Sequence, residues 1–123
     1  MKIEKMREMT EVELVNELKK MKNELFNTLQ FVERNFQNGF RKSVTSKSIP
    51  RVRFESIAVG CNLALRENSN LTVTNVVWVD SNEFKQWTTS DAANSKSKVT
   101  GRIEFVKDCL TGIQDLTELT YDN

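Results

Sequence analysis

Leu14, Leu18, Met21, Leu25, Leu29, Val32 and Phe36 recur at steps of three or four residues, with Val15, Phe26 and Phe31 beside them. That repeat places apolar side chains along one face of a long helix. Thr10-Glu11-Val12-Glu13 reads as its capping box, and Asn38-Gly39 as its end, where glycine can take the left-handed conformation. A second helix is predicted from Pro50, capped by Ser48, with Phe54, Ile57, Ala58, Cys61, Ala64 and Leu65 on its apolar face and a stop at Asn68-Ser69-Asn70. Ala58, Gly60, Cys61 and Ala64 are small enough for another helix to approach closely. A short helix bearing Phe84 and Trp87 follows a cap at Asp80 or Ser81. In the last helix Val99, Ile103, Val106, Leu110 and Ile113 step four-three-four-three, with Gly112 fraying its end. Thr88 to Lys98 reads as the loop between these two.

Leu71 to Val79, LTVTNVVWV, is β-branched and partly alternating, a strand by propensity. A lone strand needs a partner, and no second segment offers one. The expectation is therefore an all-α fold: an irregular bundle of three to four helices with one extended segment near 71–79. Residues 1–113 would form a single helical domain and 114–123 a mobile acidic tail.

With 123 residues the chain can bury a core without disulfides or metals. Its net charge of +1 argues against wholesale coating of nucleic acid, although local patches remain open. No apolar run approaches the roughly 20 residues that cross a bilayer, and the opening MKIEKMREMTEVE lacks a signal-peptide core, so a cytoplasmic protein is expected. Cys61 and Cys109 then read as reduced core residues, and the sequon at Asn70 as accidental. There is no histidine, which excludes Ser-His-Asp and Cys-His catalysis and imidazole zinc sites. No cofactor or metal is expected.

Two stretches could carry chemistry. From Asn35 to Phe54 no acidic residue occurs, while Arg41, Lys42, Lys47, Arg51 and Arg53 are basic. Such a segment can grip phosphates, helped by the amides of a helix start, or can pair with Glu33, Glu55 or Glu83. Thr88, Thr89, Ser90, Asp91 and Asn94 concentrate short polar side chains, which hold phosphates but equally cap helices and close turns. Asp91 with Arg102 or Lys98 is the nearest approach to an enzyme's constellation. A single carboxylate is weak support for one, and no activity is expected.

The segment MREMTEVELVNELKKMKNELFNTLQF, Met6 to Phe31, is similar to the first helix of a small large-subunit ribosomal protein that sits near the exit tunnel. Leucine-lysine-glutamate helices imitate one another, and the likeness is set aside in favour of a longer one. From Leu25 to about Gly112 the chain resembles the C-terminal helical segment of the GmrSD-type restriction family, whose N-terminal domain is ParB/sulfiredoxin-like. The pieces are Phe40-Arg41, Arg51 to Glu55, Leu63 to Asn68, Trp78, Glu83-Phe84-Lys85, Thr88 to Ala92 and Arg102-Ile103-Glu104. The resemblance implies a non-catalytic module of a DNA-restriction or phage-defence protein. It would pack on a ParB-like catalytic domain or subunit, in contact with DNA or as a homodimer. A stand-alone nucleic-acid-binding protein using the basic segment is the alternative.

Overall fold

The computed structural model describes residues 10–43, 45–73, 75–89 and 95–122. Among these the fold is all-α, with four helices and two short 3-10 turns. Helix α1 spans Glu11–Asn35, α2 Arg51–Glu67, α3 Asn82–Thr88 and α4 Lys96–Thr111, and the turns are Val77–Asp80 and Leu116–Glu118. No helix among the described residues is long and apolar enough to cross a membrane.

Helix α1 starts where expected, the Thr10 hydroxyl accepting the Glu13 N–H at 3.2 Å. It ends three residues before Asn38, at Asn35, and Gly39 (φ +60°) instead serves the turn that follows. Helix α2 has Pro50 at its N-cap and no side-chain cap, so the role expected of Ser48 is not filled. Ser81 caps α3, accepting from the Phe84 N–H at 3.1 Å, and Ser95 caps α4 through the Lys98 N–H. Helix α4 closes on Gly112, whose φ of +85° makes it a left-handed cap, and the Gln114 N–H donates to the Asp108 carbonyl.

The central contact is α2 against α4. A Cβ on Gly60 would lie 2.6 Å from the Cβ of Val106, so the small-residue face does allow close approach. Gly101 makes room in the same way for the Trp87 ring. Helix α1 reaches this body only with its second half, where Thr28, Phe31 and Val32 are buried.

Residues 71–73 and 75–76 are irregular, and the turn that follows drives Trp78 into the core, 1% exposed. Phe36, Phe84 and Phe105 surround that indole at centroid distances of 5.8, 5.5 and 6.2 Å, all edge-on. Each such pair is worth about 0.5–1.5 kcal/mol beyond its buried area. Burial pushes the Cys61 and Cys109 thiols up to about 12, and both cysteines are free.

The acidic tail does not hang free as expected. Leu119 is buried in the core cluster, and Glu83 clamps Thr120 through both its backbone N–H (2.6 Å) and its hydroxyl. These bonds hold the Glu83 carboxyl below its ordinary range.

Candidate interaction surface

The basic segment divides on folding. Arg41, Lys42, Lys47 and Arg51 are exposed around the turn after α1 and the start of α2. Arg53 turns inward: it is 5% exposed, donates from Nε to the Phe40 carbonyl at 3.0 Å and lies 5.5 Å over the Phe84 ring. Burial lowers its pKa, opposed by the charge of Asp80. Arg53 is thus a structural tie between the loop and the core, while Lys42, Lys47 and Arg51 present charge to solvent. Phe40 and Phe54 touch beside them, with ring centroids 4.7 Å apart. Arg102 is also buried, bonding Glu55 at 3.1 Å, and Asp91, expected beside it, lies outside the described residues.

Of the polar loop, Ser90, Asp91 and Asn94 lie outside the described residues. Thr88 is the buried last residue of α3, its hydroxyl donating to the Phe84 carbonyl at 2.8 Å, and Thr89 caps that helix. Both serve the helix end. Among the described residues no three His, Cys, Asp or Glu side chains gather as metal ligands would.

The largest surface feature is one that periodicity signalled without revealing its fate. Val12, Val15, Leu18, Met21, Leu25, Phe26 and Leu29 are all at least 40% exposed along α1. The α1 residues that meet the body are Thr28, Phe31 and Val32, so most of the apolar stripe is left uncovered. Contiguous apolar surface of this kind on a small protein marks a place of attachment.

Between α1, the end of α2 and the segment 69–73 runs a groove of about 810 Å³. Phe31, Leu65, Leu71 and Val73 supply its apolar lining, while Arg34, Asn62 and Arg66 are among its polar residues. Arg66 is tied to Glu24 at 2.9 Å across the groove.

Among the described residues the surface of this small all-α protein is marked by an uncovered apolar helix and a basic turn. The comparison with known proteins gives the particular family. The chain is 46% identical over 54 residues to large ribosomal subunit protein uL29 of Caldicellulosiruptor saccharolyticus, a match that takes in 43% of this chain and 75% of that protein. On that match the chain belongs to the uL29 family, and it extends well beyond the matched part. No protein-family profile and no solved structure matches it.

This overturns the assignment to the GmrSD-type restriction family. The restriction or phage-defence role and the ParB-like partner fall with it, and the reading of a stand-alone nucleic-acid-binding protein is only weakly compatible with the match. The scattered pieces that carried the resemblance have structural jobs here: Trp78 and Phe84 in the core, Arg53 and Arg102 as buried ties, Thr88 at a helix end. The similarity of Met6 to Phe31 to a ribosomal helix, set aside as an accident of composition, pointed the right way.

Proposed function

We propose that this protein works at the large ribosomal subunit, in the cytoplasm, attaching through α1 and the basic turn behind it. The family membership carries the reading. Two features of the surface support it. The outer stripe of α1 needs an apolar partner, which a ribosomal protein neighbour supplies, and Arg41, Lys42, Lys47 and Arg51 suit the phosphates of ribosomal RNA. The remaining helices form a compact body that the attachment would carry on the subunit.

Sedimentation of a cell extract through a sucrose gradient tests this. The tagged chain is expected to travel with the large subunit, and Leu18→Glu plus Leu25→Glu to leave it at the top of the gradient with its melting temperature unchanged. Lys42→Glu, Lys47→Glu and Arg51→Glu together should weaken the association and flatten its salt dependence. Wild-type protein that never enters the subunit fractions would refute the proposal.

A further inference from the structure

The segment Leu71–Val73 lines a groove and has backbone hydrogen-bonding groups left over. By composition LTVTNVV is a strand, yet among the described residues no strand forms. Among the described residues, the N–H groups of Thr72 and Val73 and the carbonyls of Leu71, Thr72 and Val73 have no hydrogen-bond partner. Backbone groups in this state are a template for an added strand. Beside them lies the groove of about 810 Å³, whose apolar lining comes from Phe31, Leu65, Leu71 and Val73. A groove of that size suits a short chain, with pockets for alternate side chains.

Charge selects among such chains. The acidic residue of the groove, Glu24, is already neutralised by Arg66. Among the described residues Arg34 binds the Gln30 carbonyl alone, through Nε, and its terminal nitrogens have no partner there. The groove therefore favours a carboxylate at the Arg34 end.

We propose that this groove binds an extended peptide that pairs with Leu71–Val73 as an added β-strand, with apolar side chains at alternate positions and an acidic residue meeting Arg34. This goes beyond attachment to the ribosome and uses a different surface from the outer stripe of α1.

The probe is a fluorescein-labelled peptide, Glu-Val-Thr-Val-Thr-Val with a blocked C-terminus, titrated with the full chain and followed by anisotropy. Saturable binding is expected, with a Kd on the order of tens of micromolar for so short a strand. The same peptide N-methylated at alternate residues on either edge keeps its side chains but loses donors, and at least one of the two should bind about tenfold more weakly or worse. Arg34→Glu should weaken binding of the unmodified peptide by about three- to tenfold, and a lysine in place of the peptide's glutamate should reverse that order. Val73→Pro, checked for an unchanged melt, should abolish binding. No saturable signal up to about 1 mM, or both N-methylated peptides binding as tightly as the unmodified one, overturns the proposal. Cosedimentation with the large subunit is indifferent to these variants, so the two readings fail separately.

Discussion

At the scale of single residues, the fold depends on two glycines that admit a neighbour. At Gly60 an added Cβ would meet the Val106 Cβ at 2.6 Å and the Ile103 carbonyl at 3.0 Å. Both obstacles are fixed to backbone, so α2 and α4 would have to separate. Alanine gains about 1 kcal/mol of helix propensity over glycine, but overpacking costs about 1–3 kcal/mol, and here the second should win. At Gly101 the obstacle is the far edge of the half-buried Trp87 ring, which can tilt away. Gly60→Ala should therefore lower stability by about 1–2 kcal/mol and Gly101→Ala by less, measured by urea denaturation. The small-residue face was legible as Ala58, Gly60, Cys61 and Ala64, because side-chain size alone permits close approach. The inward turn of Arg53 was not. It depends on the Phe40 carbonyl and the Phe84 ring, 13 and 31 positions away in the chain, which no local pattern brings together.

At the scale of elements, α1 behaves as two pieces. Its second half is bound to the body through Thr28, Phe31 and Val32, while the first rests on its cap and its own hydrogen bonds. Native-state hydrogen exchange should be fast over 11–23 and slow over 28–35, and association with the ribosome should protect the fast part. Periodicity located α1 well, because seven apolar positions in step have no other explanation, but the same pattern serves an inner or an outer partner. Segment 71–79 misled propensity in part: β-branched residues favour extended backbone, and burial of Trp78 then decides the turn. The tail follows acid–base logic. Glu83 has a lowered pKa in the fold, so its bonds to Thr120 contribute stability above the ordinary carboxylate value of about 4.3 and lose it as pH falls through the folded value. Exchange at 119–121 should rise on acidification below that point, and Glu83→Gln should remove most of the dependence.

The described residues form a helical body with an exposed apolar stripe on one long helix, and the two parts have separate physical identities. Sequence disclosed the body's class because four amphipathic or capped stretches and an unpartnered strand-like run leave few alternatives to a bundle. It did not disclose which apolar face stays outside, since the decision rests on how much of α1 the shorter α2 and its connections can cover. Trp78, ringed by Phe36, Phe84 and Phe105, carries an optical consequence. An indole so enclosed emits at short wavelength, Trp87 is half-buried against Gly101, and no tryptophan lies on α1. Intrinsic fluorescence of this protein thus registers melting of the body as a red shift and is blind to events on the outer stripe of α1. Melting of the body can therefore be followed without adding a label, whatever occupies the outer stripe.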